Sequence, residues 1–319
     1  MGDGERHRPL NGESAVSRFY SNQRRDLEMK VTPPRVGFIG LGDQGGPMAE
    51  AIGQHGFELH VWARRPASLS AVEKVPHAVH TTVAELAASA DLIGLCLRDD
   101  ADVWDVLDGQ GLLTAVAPGT IIVNHGTGDP AEALRIAAHV KQAGGAYLDA
   151  PVSGGSPGAR ARTLTTFTGG SRDAFEKARP VFDTFSDTVK LMGPVGAGQF
   201  TKLFNNALTI TNMKNAEDVL GLAAQVGLDI PALVEVVSAS SGGSAALHAL
   251  GGDITPELAE HLHTLMHKDM HHFADAVRAG GGDPSEVLER GLAGAVGLVE
   301  AARIVARARQ DATAQRGGA

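Results

Sequence analysis

Short apolar runs alternate with longer amphipathic stretches over the first two thirds of the chain. The apolar runs are rich in β-branched residues and cover 36–39, 58–62, 91–97, 120–124 and 146–152. Between them, the stretches 45–55, 82–90 and 130–143 space their apolar residues at the period of a helix. This rhythm predicts a mostly parallel sheet covered by helices on both faces, which the runs 163–168 and 187–192 would extend.

The pattern changes at Gly196, after which no stretch has the character of a strand. Helical spacing continues through 199–226, 231–240, 256–279 and 284–309. We therefore expect an α/β domain over 35–195 and an all-α domain over 196–310. The segments at the two ends, 1–34 and 311–319, are polar and lack apolar periodicity, so we expect a flexible N-terminal extension and a flexible tail.

The net charge, the cysteine count and the length of the apolar runs exclude several classes of protein. The chain has 319 residues and a net charge of −9, so it lacks the basic footprint that nucleic-acid binding needs. Its single cysteine, Cys96, excludes an internal disulfide framework and a cysteine-based zinc site. The apolar runs are too short for a membrane span or a signal peptide. We therefore expect a cytoplasmic protein without membrane or nucleic-acid partners.

A glycine-rich loop follows the first predicted strand and precedes a helical stretch. Its sequence, Gly-Leu-Gly-Asp-Gln-Gly from residue 40, fits the spacing G-x-G-x-x-G. In that context the first glycine makes a tight turn, the second admits a pyrophosphate, and the third lets helix and strand pack closely. The alternative is a plain tight turn. The context favours a dinucleotide site, with contacts from Gly40, Leu41, Gly42, Asp43, Gln44 and Gly45.

The end of the second predicted strand bears on the choice of dinucleotide. NAD sites carry an acidic residue there, which binds the ribose 2′-hydroxyl. This chain has Ala63 instead, followed by Arg64 and Arg65. Guanidinium groups bind a 2′-phosphate as a fork, so we expect NADP(H) to be preferred over NAD(H). The alternative is a solvated arginine pair on a surface loop.

Three further motifs carry candidate chemistry. DAPVSGG at 149–155 ends the fifth run, where small residues can aim backbone N–H groups at an anion. GPVGAGQFTKLFNN at 193–206 places Lys202 and Asn206 four residues apart on one helix face. Lys202 is either an amine reaching to solvent or a functional group in a cleft. The motif at 266–270, MHKDM, adds a second cation, Lys268.

In this order, the glycine loop and these motifs resemble the β-hydroxyacid dehydrogenase family, which belongs to the 6-phosphogluconate dehydrogenase superfamily and is typified by 3-hydroxyisobutyrate dehydrogenase. The resemblance implies an α/β Rossmann-type N-terminal domain, an all-α C-terminal domain that takes part in dimerisation, and an active site in the cleft between them. It also implies roles for single residues. Lys202 would be the catalytic residue and Asn206 its support, whereas Ser153, Gly154 and Gly155 would hold the substrate carboxylate. Thr127 and Lys268 would contact the nicotinamide half of the cofactor.

The chain departs from the family pattern around this centre. After the fourth run the family has an Asp-x-Ser-Thr-like sequence, whereas this chain has Asn124-His125-Gly126-Thr127, so the serine is absent and a histidine stands beside its place. His125 is either a proton-exchanging group or pocket wall at the substrate, or a hydrogen-bonded structural histidine. Leu97 is followed by Arg98 instead of proline, and we expect both to pass near the cofactor ribose. The only aromatic residues expected near Lys202 are Phe200, Phe204 and Phe273. These departures mean that 3-hydroxyisobutyrate should not be assumed to be the substrate.

A row of histidines, His263, His267 and His271, repeats every four residues. No acidic residue completes a metal-binding pattern, so we expect no metal there.

The combined expectation is an NADP(H)-dependent oxidoreductase that interconverts a small hydroxyacid and its aldehyde- or keto-acid. Lys202 would act as general acid and base, because a secondary alcohol loses hydride readily only when its hydroxyl proton also leaves. A homodimer or larger homo-oligomer is expected from the apolar helix faces. The alternatives are an imine reductase-like NADPH enzyme and a non-catalytic NADP-binding scaffold.

Overall fold

The computed structural model describes residues 33–252 and 254–317, with side chains as far as residue 310. Nine strands of the described chain form one sheet, in the order β3-β2-β1-β4-β5-β6-β8-β7 with β9 beside β8. The strands are β1 Val36–Ile39, β2 Leu59–Trp62, β3 Ala78–Val79, β4 Leu92–Leu95, β5 Ile121–Asn124, β6 Ala146–Asp149, β7 Val152–Ser153, β8 Leu164–Gly169 and β9 Ser186–Gly193. The first six are parallel, which confirms the predicted sheet.

Helices cover both faces of this sheet. They are α1 Gly45–Gln54, α2 Val83–Ser89, α3 Asp100–Trp104, α4 Leu112–Ala115, α5 Pro130–Gln142, α6 Gly155–Ala161 and α7 Arg172–Phe182. Strands β1, β4 and β5 are buried throughout, because helices cover them on both sides. Two apolar cores result, one on each face. The carboxyl ends of the parallel strands therefore open on a single edge of the sheet, where ligands bind in such folds.

The rest of the described chain is helical. Its helices are α8 Ala197–Gln225, α9 Ile230–Ser238, α10 Ala245–Gly252, α11 Pro256–Ala279 and α12 Ser285–Gly317. The long helix α8 packs against α11 and α12, and its first turns pack against β8. Glycines let these helices approach closely: a Cβ on Gly294 of α12 would lie 2.5 Å from the carbonyl oxygen of Ile210 in α8. The predicted fold class, a Rossmann-type α/β region followed by an all-α region, is confirmed.

Three local predictions differ from the structure. The run 146–152 is not one strand, because the chain turns at Ala150 and Pro151 and continues as β7, antiparallel to β8. Five helices, α3, α4, α6, α7 and α10, are not predicted, since four are short and α7 contains Pro180. Helix α12 continues to Gly317, past the end expected at residue 309 and into the segment expected to be a flexible tail. The predicted extension lies almost wholly outside the described residues, which begin at residue 33.

No helix within the described residues is both long and apolar enough to cross a membrane.

Candidate active site

The glycine loop between β1 and α1 has one glycine that packing within the chain does not require. A Cβ on Gly40 would collide with the carbonyl of Cys96, and one on Gly45 would collide with the carbonyl of Gly40. Gly40 also has a φ of +101°, which favours glycine. A Cβ on Gly42, in contrast, would meet no atom within 4 Å. The open space beside Gly42 fits a bound phosphate at the start of α1, as the spacing of the motif predicts.

A pocket of about 460 Å³ extends from this loop to the end of β2. Of the predicted cofactor residues it is lined by Gly40, Leu41, Gly42, Arg64, Arg65, Leu97 and Arg98. Asp102, at the same pocket, accepts a hydrogen bond from Arg64 at 3.1 Å and pairs with Arg98 at 3.4 Å. The sequence does not reveal this carboxylate, because it lies about forty residues from β2 and reaches the pocket only through the fold.

Arg65 has no ion pair within the described residues and lines a second pocket of about 360 Å³. That pocket also contains two acids, Asp43 and Glu50, and a second arginine, Arg160 from helix α6. Helix α6 is joined to the glycine loop, since the hydroxyl of Ser156 donates to the carbonyl of Asp43 at 2.9 Å. An anion between the loop and α6 would therefore meet two guanidinium groups, those of Arg65 and Arg160.

A cleft of about 370 Å³ lies between the edge of the sheet and helices α8 and α11. It brings together most of the remaining predicted residues: Gln44, Leu97, Arg98, His125, Thr127, Gly155, Lys202, Asn206 and Lys268. Ser153 and Gly154 directly precede Gly155 in the chain but are not among the lining residues. Gly154 and Gly155 have φ values of +127° and +60°, and they begin helix α6. The φ of Gly154 requires glycine, and that of Gly155 lies in the left-handed region that favours it.

Of the three cationic side chains that line the cleft, Lys202 is more buried than Arg98 and Lys268. It lies in the second turn of α8, partly buried between the sheet and α11. Burial lowers the pKa of its ammonium group to about 8, and the Asp269 carboxylate acts in the opposite direction. An amine with this pKa exchanges a proton readily near neutral pH, which is the property that a general acid and base needs.

A chain of polar side chains surrounds this amine. The amide of Asn206 donates to the Asp269 carboxylate at 2.7 Å, and the amide of Asn205 donates to Asn206 at 3.1 Å. Asn205 also donates to the hydroxyl of Ser153 at 3.4 Å, which joins α8 to the predicted carboxylate loop. Lys268 lies 4.0 Å from Asp269. Sequence reasoning missed Asp269 and Asn205, although each directly follows or precedes a residue that it identified.

His125 contacts the cleft with very little of its surface. The side chain is 3% exposed, and its Nδ1–H donates to the carbonyl of Ala150 at 2.9 Å. Its ring stacks on Phe38 and meets the edges of Phe182 and Phe185. Burial lowers the pKa of the imidazole to about 4, so the ring is neutral at physiological pH.

The aromatic residues expected near Lys202 do not line the cleft. Phe200 and Phe204 are exposed, and Phe204 packs edge-on against Phe273 at a ring separation of 5.2 Å. Phe200 and Phe204 lie two residues from Lys202 on either side, and this spacing directs them to the outer face of α8. The cleft is therefore walled by aliphatic residues such as Ile210, Leu262 and Leu265.

The histidine row on α11 is on the helix that carries Lys268, but its side chains do not line the cleft. The rings of His263 and His267 are 6.3 Å apart, and those of His267 and His271 are 4.6 Å apart. Within the part of the chain that the structure describes, no group of three side chains has the arrangement of a metal site.

Two family models match consecutive parts of the chain. The NAD binding domain of 6-phosphogluconate dehydrogenase matches residues 35–193. The NAD-binding domain of NADP-dependent 3-hydroxyisobutyrate dehydrogenase matches residues 196–315. The first thus covers the sheet and its helices, and the second covers α8 to α12.

Individual proteins are similar over most of the chain. The NAD-dependent L-serine dehydrogenase of Pseudomonas aeruginosa is 36% identical over 67% of this chain and 72% of its own. The mitochondrial 3-hydroxyisobutyrate dehydrogenase of Mus musculus is 33% identical over 74% of this chain and 68% of its own. A solved Mycobacterium tuberculosis 3-hydroxyisobutyrate dehydrogenase with L-serine superposes with a TM-score of 0.73 at 25% identity, covering 86% of this chain and 99% of its own. The chain accordingly belongs to the β-hydroxyacid dehydrogenase family, the NAD(P)-dependent oxidoreductases that act on the CH–OH group of hydroxyacids.

Proposed function

We propose that the protein interconverts a small hydroxyacid and its aldehyde- or keto-acid with NADP(H), and that Lys202 is the general acid and base. The observation that carries this proposal is the position of the Lys202 amine: it lies in a cleft with Asn206, and burial brings its pKa to about 8. The cleft shares Cys96, Leu97 and Arg98 with the pocket beside the glycine loop, so a dinucleotide in that pocket would extend into it.

The bound nicotinamide would supply the hydride acceptor in oxidation and the hydride donor in reduction. Lys202 takes the proton from the substrate hydroxyl in oxidation and returns it to the carbonyl oxygen in reduction. Asn206, held by Asp269, orients the substrate oxygen toward the amine. Ser153, Gly154 and Gly155 hold the substrate carboxylate, which fixes the face of the substrate that meets the nicotinamide.

The remaining cleft residues complete the cofactor and substrate contacts. Thr127 and Lys268 line the cleft and would contact the nicotinamide ribose. His125, a neutral ring among phenylalanines, would form part of the wall against the substrate without exchanging protons. The aliphatic lining favours a short substrate with an apolar or small substituent.

The cofactor preference rests on the two arginines at the end of β2. Neither Arg64 nor Arg65 is opposed by an acid in the position that binds a ribose 2′-hydroxyl, which favours the 2′-phosphate of NADP(H). Arg160 adds a further cation beside Arg65. Two acids, Asp43 and Glu50, line the pocket of Arg65 and Arg160. In the neighbouring pocket the opposing charge is Asp102, which pairs with Arg64 and Arg98.

A screen of short substrates tests the reaction. NADP⁺ reduction would be followed at 340 nm with 3-hydroxyisobutyrate, L-serine and other C3 to C5 hydroxyacids, and NADPH oxidation with the corresponding aldehyde- and keto-acids. We expect turnover with at least one member of the set and none with simple alcohols of equal size. Turnover of cyclic imines with no turnover of any carboxylate would contradict the proposal.

We also propose a cytoplasmic homodimer or larger homo-oligomer. Helix α8 carries an exposed apolar row, Leu208, Val219, Leu222 and Val226, along one face. An unpartnered face of this kind is unusual for a monomer.

A further inference from the structure

The first turn of helix α8 is fixed to a buried carboxylate. Asp149, at the end of β6, is 0% exposed. Its Oδ1 accepts a hydrogen bond from the backbone N–H of Gly196 at 2.8 Å, and its Oδ2 accepts one from Gln199 at 2.9 Å. The carboxylate thus satisfies two of the N–H groups that a helix leaves free at its N-terminus, and its charge complements the positive end of the helix.

Two glycines allow this close approach. A Cβ on Gly198 would lie 2.5 Å from the backbone carbonyl oxygens of both Asp149 and Phe167. A Cβ on Gly169, opposite Asp149 in the β6–β8 pair, would lie 2.5 Å from Oδ1 of Asp149. The start of α8 therefore lies against the sheet edge without space to shift, and its position is determined by contacts on the sheet side.

Gln199 joins the same turn of α8 to the loop that follows β5. Its Oε1 accepts from the N–H of Gly128 at 2.9 Å, and its Nε2 donates to the carbonyl of Gly126 at 2.8 Å. The side chain is 1% exposed. Thr127, between these two glycines, lines one side of the cleft, and Lys202, one turn after Gln199, lines the other. The buried hydrogen bonds of Asp149 and Gln199 thus connect the start of α8, which carries Lys202, with the loop that carries Thr127.

We propose that Asp149 and Gln199 are positioning residues that set the placement of the Lys202 amine relative to the 126–128 loop. Neither side chain lines the cleft, so both act through the helix and the loop that they hold. This inference rests on the proposed role of Lys202 as the proton carrier.

The electrostatics of Asp149 support a functional reason for its presence. Burial raises the pKa of this carboxyl to about 6 although backbone N–H groups stabilise the charged form. No cation pairs with it within the described residues. A buried, unpaired carboxylate costs stability, and proteins retain such groups where function requires them.

Two variants test the proposal. Gln199→Met keeps the volume and the backbone bond to Asp149 but removes both side-chain bonds to the loop, and Asp149→Asn removes the charge at nearly constant shape. We expect each to lower kcat about 10- to 100-fold, the loss that a misplacement on the order of 1 Å causes. We also expect the pKa that governs kcat/KM to rise by about half a unit or more, because a displaced amine gains water.

The pH profile is the measurement that a purely structural role would leave unchanged, since partial unfolding lowers the amount of active enzyme without moving a pKa. Apart from Lys202, the titratable and charged side chains that face the cleft are Cys96, Arg98, His125, Lys268 and Asp269. Neither substitution alters any of them. The charges of Asp149 and Asp100 both raise the pKa of Tyr147, but Tyr147 and Asp100 lie outside the cleft lining.

Thr201→Val is the matched control. Thr201 lies in the same part of α8, but its hydroxyl bonds only to the carbonyl of Ala197 within the helix, so kcat and the pKa should stay near wild type. Thermal unfolding and NADPH fluorescence titration would establish that each variant is folded and binds cofactor. If Lys202→Met abolishes turnover while Gln199→Met and Asp149→Asn retain both the wild-type kcat and the wild-type pKa, the positioning role is wrong. If Lys202→Met retains turnover, the proposed function itself fails.

Discussion

At the residue scale, the chemistry depends on how far burial alters single side chains. Lys202 and His125 both line the cleft, and burial lowers the pKa of each, but with opposite consequences. For the lysine, a pKa of about 8 makes proton exchange possible. For the histidine, a pKa of about 4 removes it from proton transfer at neutral pH. Residue type alone suggests the reverse, because histidine is ordinarily the side chain that titrates near pH 7.

Lys202→Met should lose activity and gain stability. We expect kcat to fall by roughly 10²- to 10⁴-fold with cofactor binding retained, because a positioned acid and base contributes about that much. The lowered pKa means that the folded state resists protonation of this amine, so wild type loses stability as the pH falls from the unfolded value of 10.5 through about 8. The free energy of unfolding of the methionine variant at pH 7 should therefore exceed that of wild type by on the order of 1–3 kcal/mol.

Urea unfolding at pH 7, with kcat and NADPH binding measured on the same preparation, checks both parts. The stability gain should be complete below pH 8 and should shrink as the pH approaches 10.5. A variant that is both inactive and less stable at pH 7 would contradict the buried-amine interpretation.

Asp269 should control the pH at which Lys202 titrates. Its carboxylate raises the pKa of Lys202, so Asp269→Asn should move the midpoint of the kcat/KM profile to lower pH. In the wild type, oxidation of the hydroxyacid should rise through about pH 8 as the amine becomes neutral, and reduction should fall over the same range. Profiles in both directions from pH 6 to 10 measure this. An unchanged midpoint in the Asn variant would show that Asp269 acts only through Asn206.

At the element scale, loops that follow strands β1, β2, β4 and β5 supply one wall of the site, and helices α8 and α11 supply the other. The strands are parallel and in register, so their carboxyl ends deliver the glycine loop, the arginines after β2 and Thr127 to one edge. Lys202 and Asn206 lie on the same face of helix α8 because they are four residues apart, and both line the cleft. The cleft therefore depends on where α8 starts.

The loop after β2 should determine the choice of cofactor. We expect wild type to have a higher kcat/KM with NADP⁺ than with NAD⁺, and Arg64→Ala to lower the NADP⁺ value about tenfold or more, since a charge-assisted bond to phosphate contributes roughly 1.5–3 kcal/mol. The NAD⁺ value should change little. Steady-state kinetics with both cofactors measure the ratio.

Arg162→Asn provides the control for removal of an arginine charge. Arg162 lies outside both cofactor pockets and has a φ of 61°, a conformation that asparagine tolerates. Its kinetics should match wild type. A wild-type preference for NAD⁺ that Arg64→Ala leaves unaltered would overturn the NADP(H) assignment.

At the scale of the whole molecule, helix α8 has an outer apolar face that no other part of the described chain covers. Leu208, Leu222 and Val226 are 64%, 62% and 74% exposed, and they lie on one side of a helix of 29 residues. The opposite side of the same helix packs on α11 and α12. One side of this helix thus packs in the core of its own chain, and the other side is exposed and could contact a second copy.

Association through this face should break when a charge is placed on it. We expect light scattering after gel filtration to give at least twice the mass of the 33.1 kDa chain for wild type. Leu222→Glu should shift the protein toward the monomer, because burying a carboxylate without a partner is costly. Lys177→Glu on α7, remote from this face, should leave the mass unchanged. A monomeric wild type would contradict the proposed oligomer.

The sequence by itself determined the fold class, because apolar periodicity and the glycine loop are local properties. It also predicted Lys202, Asn206 and Lys268 as site residues from their motifs, and these three line one cleft. It did not identify Asp102 or Asp269 at the site, or the bonds of Asp149 to the start of α8, since the partner groups lie far away in the chain. It placed Phe200 and Phe204 near Lys202, whereas helix geometry directs them outward.

Only the tertiary structure decided the electrostatic state of the site. The pKa of a lysine or a histidine depends on how much water and which charges surround it, and both are set by elements distant in sequence. The turn at Pro151 and the two glycines that admit Asp149 to the start of α8 likewise have meaning only in the folded chain. Local pattern fixed which elements form and which residues they carry, and packing between distant elements fixed what those residues can do.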